Sequence, residues 1–418
     1  MTELVIVALV VFAFAMVSRK LALSPVTAPM VFTAAGILLG IVGAQWFQLD
    51  LKSEVVSILV EATLVLVLFT DAVRIDLRAL RTQIFLPLRL LGIGLPLTIV
   101  LGAVAAWALF GELTFMEAAL IAAILAPTDA ALGQAVVSDK RLPVRIRQAL
   151  NVESGLNDGI MVPVVTVFLA IAATETGAAS GESWGLFAAQ QIGFGILFGG
   201  LVGVVGGWLL SRAARAGWVD GIYRQLATIA IAVTAYASAG ALGGNGFIAA
   251  FVAGLAFSAV ARDHCEDVQD FTEDEGELLS SITFLVFGAV LAAPILTSLT
   301  WQIALYVVLS LTVVRMVPVL LALAWSGTRF ETRLFIGWFG PRGLASILFA
   351  LLVFDELSGS VADTVFSVAV WTILVSVFAH GATASPWTSR LAHRLSSAPA
   401  SAAELKHVQE MPARRRFR

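Results

Sequence analysis

The sequence holds a single cysteine, Cys265, in 418 residues. A lone thiol excludes an internal disulfide and a cysteine-built metal cluster. Charge is scarce too: 13% of residues are charged, where a soluble domain carries about 25%. No P-loop or other nucleotide-binding segment occurs, which argues against ATP-driven pumping. No cofactor, nucleotide or nucleic acid is expected as a partner. Apolar residues are abundant instead, at 59% with a mean hydropathy of +0.92, and this composition implies a polytopic membrane protein. The opening "MTELVIVALVVFAFAMVSRK" has no basic leader and no small-residue cleavage site, so it reads as a retained first span.

Apolar runs of spanning length mark thirteen expected helices. They lie near 2–18, 26–44, 54–72, 84–110, 115–138, 146–173, 187–211, 222–241, 245–261, 276–295, 301–325, 332–354 and 362–384. Alternate connections hold Arg19/Lys20, Arg74/Arg78/Arg81, Lys140/Arg141/Arg145, Arg212/Arg215, Arg262, Arg329 and the basic tail, while the intervening ones hold only Lys52. Because basic loops stay cytoplasmic, the N-terminus is expected outside and the C-terminus inside.

Two of these spans carry similar interruptions, "ILAPTDAALGQ" in the fifth and "GWFGPRGLAS" in the twelfth. Pro127 and Pro341 each remove a backbone donor and free a carbonyl, at Ala123 and Gly337. The breaks lie seven spans apart, an odd offset. Spans 1–6 and 8–13 are therefore expected to form two inverted-topology six-helix repeats, and paired breaks point to a transporter's mid-membrane site. Asp129 and Arg342 stand in the two breaks, placed to offset the exposed helix dipoles.

Ionisable residues well inside spans are few: Glu61, Asp71, Asp129, Glu153, Asp158, Arg315, Arg342 and His380. Each is costly in lipid, so each is a functional candidate. In "NVESGLNDG", Ser154 and Asp158 are four apart on one helix face, as are Glu153 and Asn157. A carboxylate, a hydroxyl and freed carbonyls form the oxygen set that a monovalent cation accepts in place of water. A desolvated carboxylate there holds a proton or a cation, but not readily both.

Five motifs in this order, "LVLFTDAVRIDL", "APTDAALGQAVVSD", "NVESGLNDG", "GWFGPRGLAS" and "VFAHGATASP", resemble the NhaP-type sodium/proton antiporters of the cation:proton antiporter superfamily. The resemblance runs from about residue 5 to residue 390. It implies an all-α, thirteen-helix homodimer in the cell membrane that works by alternating access and serves pH homeostasis. A core near 84–173 and 301–384 would move against a scaffold near 2–72 and 187–295, with 387–418 as a short basic tail. Sodium is the implied cation, with lithium and potassium as alternatives. Asp158 would carry the ion or the proton. Ser154, Asp71 and Thr128 would complete the cation site with it, and Asp129 would add backbone and water-mediated contacts. Asn157 would tie its helix to the Thr128 break, and Glu153 would pair with Arg342. Asn rather than Asp before Asp158 implies electroneutral, one-for-one exchange.

Plainer readings stand beside these. Asp129 alone suits a dipole-compensating role, His380 a packed neutral ring, and Glu61 a capping position. The stretch 262–277, with eight acids, reads as a solvated loop, and the tail's arginines suit contact with the inner leaflet. An intramembrane protease lacks a second Gly-x-Gly-Asp aspartate or a serine partner for His380. A passive channel lacks filter repeats.

Overall fold

The computed structural model describes residues 2–21, 24–42, 54–75, 85–129, 132–175, 184–261, 265–357, 359–399 and 401–406; every regular element among them is helical. Lys52, Arg78, Arg81, Arg262 and the terminal "ARRRFR" lie outside the described residues. Among the described residues, seven helices are long and apolar enough to cross a membrane by length and composition, and shorter apolar ones, such as Ala28–Val42 and Gly246–Val260, pack among them.

Local chemistry sets several helix starts. Thr114 and Glu117 form a reciprocal capping box at the head of Phe115–Ile124, with bonds of 3.2 and 2.8 Å. Asn245 accepts the amides of Phe247 and Ile248 to begin Gly246–Val260. Small residues then let backbones touch. A Cβ at Gly36 would stand 2.1 Å from the Leu285 carbonyl, and one at Gly254 would stand 2.4 Å from that of Phe69. Such close crossings suit a bundle in lipid, where association depends on packing rather than on expelling water.

Each interrupted span is split where the sequence places its proline. Phe115–Ile124 ends before Pro127, and regular helix resumes only at Gln134–Val137. Phe330–Trp338 ends before Pro341, and Leu344–Glu356 follows. Each break precedes a long helix, Val144–Glu175 in the first case and Ser360–Ser396 in the second.

One expectation needs correction. The acid-rich stretch is helical from Cys265 and continuous with the apolar part of Cys265–Val286, so from there it is not a loop. The last long helix runs through Pro386 to Ser396. Residues further on fold back. Glu404, buried, accepts the Arg329 amide (2.6 Å) and the Thr332 hydroxyl (3.0 Å) at the head of Phe330–Trp338, while Arg145 donates to the Ala403 carbonyl.

Candidate cation site at the crossed helix breaks

The two breaks meet, and each supplies what the other's helix ends lack. In the second break, Arg342 donates through Nη1 to the carbonyls of Ala126 (3.1 Å) and Pro127 (3.3 Å), beyond the C-terminal end of Phe115–Ile124. In the first break, the Asp129 carboxylate accepts the Leu344 amide (3.0 Å) at the head of Leu344–Glu356 and the Leu132 amide (3.3 Å). The Asp129 amide donates to the Pro341 carbonyl at 2.8 Å. A cation thus faces a helix C-terminus and an anion faces an N-terminus, the favourable sense at both ends. Gly343 is required by this approach, since a Cβ there would stand 1.9 Å from Asp129 Oδ2.

Thr128 lies between these anchors and faces the Val144–Glu175 helix. Its hydroxyl is 3.0 Å from that of Ser154 and accepts the Asn157 amide at 2.7 Å. The expected tie from Asn157 to the first break is therefore present. Ser154 shares it, so Asn157 works with Ser154 rather than with Glu153. Asp158 follows one residue on, only 6% exposed. Asp71, on Glu54–Arg74, reaches the same helix: a Cβ on Gly155 would stand 3.8 Å from its Cβ. Its carboxylate is 3.5 Å from Arg74, which is itself buried in the last turn of Glu54–Arg74. Phe251 packs against Gly159, where a Cβ would stand 2.5 Å from its ring.

The expected Glu153–Arg342 pair does not form. Arg315 takes that place, its Nη2 2.6 Å from Glu153 Oε1, with both side chains almost fully buried. Arg342 is already engaged with the first break's carbonyls, whereas Arg315 stands on the adjoining helix Val313–Ala322. Arg315 is also seated against the second break, because a Cβ on Gly340 would lie 2.6 Å from its Nε. Glu61 accepts the Tyr236 hydroxyl at 3.1 Å, away from this cluster. His380 contacts the second break, its Nε2 2.9 Å from the Trp338 carbonyl.

The family model described as sodium/hydrogen exchanger, transmembrane, matches residues 5–390. The chain belongs to that family. Relatives of this exchanger-family chain include the K(+)/H(+) antiporter NhaP2 of Shewanella sp. strain ANA-3, 27% identical over 84% of this chain and 60% of that protein. Another is the Na(+)/H(+) antiporter of Schizosaccharomyces pombe, also 27% identical, over 66% of this chain and 65% of that protein. The chain thus spans about three fifths of the length of the curated bacterial relatives it matches. Its fold is that of the sodium proton antiporter MjNhaP1 from Methanocaldococcus jannaschii at pH 8, with a TM-score of 0.78 over 95% of this chain and 100% of that one at 19% identity.

Three of the buried contacts carry no signal in the sequence that names their partners. Arg315 stood among the buried charges, but nothing in its own helix names a partner. Ser376 is an ordinary serine in an apolar run. Glu404 lies in an Ala/Ser-rich segment that gives no hint of burial.

Proposed function

We propose that this chain exchanges a monovalent cation for a proton across a membrane, with both carried in turn on Asp158. The observation that carries this reading is the buried Asp158 carboxylate beside the Thr128–Ser154–Asn157 hydroxyl and amide cluster at an unwound segment. Thr128 and Ser154 supply hydroxyl oxygens to the cation, and Asp71 lies near enough in the packing to contribute a further carboxylate. Charge bookkeeping supports a single carrier. At full ionisation, the buried carboxylates of Asp71, Asp129, Glu153 and Asp158 against the guanidiniums of Arg74, Arg315 and Arg342 leave one negative charge. One proton or one monovalent cation cancels it, and leaving it bare inside a membrane is costly.

Sodium is the first reading of the cation. Potassium is the second, favoured by the naming of the Shewanella relatives as potassium/proton antiporters. The finer reading has a homodimer in the cell membrane, with its N-terminus outside, its C-terminus in the cytoplasm and two inverted repeats. The core, near 84–173 and 301–384, moves against a scaffold near 2–72 and 187–295. Asp129, both of whose carboxylate oxygens take backbone amides, serves mainly to fix the crossing. Asn157 cannot titrate in this range, so exchange is one-for-one and electroneutral.

The test is proton flux in proteoliposomes on addition of Na⁺ or K⁺. Asp158→Asn keeps side-chain volume and polarity and is expected to abolish flux while the protein still inserts; flux at the unsubstituted rate ends the assignment. Stoichiometry is read by imposing a membrane potential. A one-for-one exchanger keeps its balance point, whereas a net charge would shift it by about 2.3 kcal/mol per 100 mV.

A further inference from the structure

The helix Ser360–Ser396 carries several polar side chains near the second break. The Thr372 hydroxyl bonds back to the Val368 carbonyl, four residues earlier, at 2.7 Å, the self-contained way for a helix to satisfy a hydroxyl. Thr383 bonds back to the Ala379 carbonyl at 2.7 Å and also accepts the Trp338 indole N–H at 2.9 Å. Ser376 and His380, one turn apart and buried, reach the backbone of the broken span. Ser376 Oγ accepts the Arg342 amide at 2.7 Å. His380 Nε2 lies 2.9 Å from the Trp338 carbonyl, which can only accept, so the ring donates there. Its Nδ1 is 3.0 Å from the Ser376 hydroxyl and 2.9 Å from the Ser376 carbonyl on its own helix.

These two side chains therefore hold both shores of the second break, Trp338 at the end of one half-helix and Arg342 before the next. The second break in turn brackets Thr128. Pro127, before it, gives its carbonyl to Arg342, and Asp129, after it, gives its amide to Pro341. The arrangement parallels the first break, where Ser154 and Asn157 reach Thr128 from the long helix that follows. The segment 376–384, however, holds no acid.

We infer that Ser376 and His380 are positioning residues for the cation site. They fix the register of the second break, and through Arg342 and Pro341 they hold Thr128 where Asp158 needs it. The inference rests on the reading of Asp158 and Thr128 as the cation site.

The experiment compares His380→Ala, His380→Gln and Ser376→Ala in proteoliposomes, at matched amounts of folded protein, with Na⁺ and with K⁺. The two alanine variants are expected to raise the half-saturating cation concentration by about tenfold, the scale of a lost supporting contact around a bound ion, with the maximal rate largely kept. His380→Gln retains a donor for the Trp338 carbonyl and should recover much of the loss. Amide hydrogen exchange supplies the second readout: the Asp129 amide should exchange faster in both alanine variants. Lowered yield or thermal stability with unchanged cation dependence and unchanged Asp129 exchange overturns the inference. If His380→Ala fails to fold, Ser376→Ala, which removes a single oxygen, carries the same two tests. If Asp158→Asn still transports, the cation-site reading falls, and the Asp129 amide alone then decides whether the second break is coupled to the first.

Discussion

The two breaks are built from similar parts and differ in their charged groups. Each is an interrupted helix at a proline, and each is held by polar side chains, two of them about a turn apart, on the long helix that follows. Beside the first break stands Asp158; beside the second, Arg342 and Arg315 are directed at the first break's carbonyls and at Glu153. A shared mechanical solution thus places a carboxylate next to hydroxyl oxygens at the first break. On the proposed reading, that break exchanges ions and the second holds it in place.

The comparison breaks most completely at the buried ion pair. Glu153→Gln and Arg315→Gln each strand a charge in the core and should each cost roughly 3–5 kcal/mol of stability. The double substitution should cost clearly less than the sum, read as thermal midpoints in detergent. Glu153 with Arg342 should show weaker coupling, and the reverse ranking would mean that the pair is misassigned. Next in size is Gly343→Ala. Its Cβ would collide with the Asp129 carboxylate, and the overpacking should cost about 1–3 kcal/mol and loosen the Leu344 amide in hydrogen exchange. Ser154→Ala should act on binding alone. It removes a neutral oxygen that water can replace, so the half-saturating cation concentration rises while the maximal rate largely survives. The smallest effect is expected at Glu404→Ala. It removes a cap from Phe330–Trp338 and should cost about 1 kcal/mol, seen as a small drop in thermal midpoint without a change in cation dependence.

Much of this was legible in the chain because membrane helices write their rules in one dimension. Apolar length marked the helices, proline marked both interruptions, and the spacing of Ser154, Asn157 and Asp158 set them together on one helix. What escaped was set by contacts between distant segments. Two buried arginines competed for Glu153, and helix spacing does not say which of them faces it. Arg342 looked the better partner because it sits in a break, yet that position is what commits it to the carbonyls of Ala126 and Pro127. The acid-rich stretch from Cys265 looked like a loop by composition, although nothing in it prevents a helix from extending past its apolar part. Glu404 could not be read at all, since its burial depends on the Arg329 amide 75 residues away.

The central claim is that one carboxylate, Asp158, carries cation and proton in turn. Proton release from detergent-solubilised protein in weakly buffered solution tests it without transport, orientation or dimerisation entering. Adding NaCl, or KCl as the second arm, should release protons from the unsubstituted chain up to one per protomer, with choline chloride releasing none. Asp158→Asn should release none with any salt, whereas Ser154→Ala should release as many at higher cation concentration. Persistent release from Asp158→Asn, or two protons per protomer from the unsubstituted chain, would contradict the account.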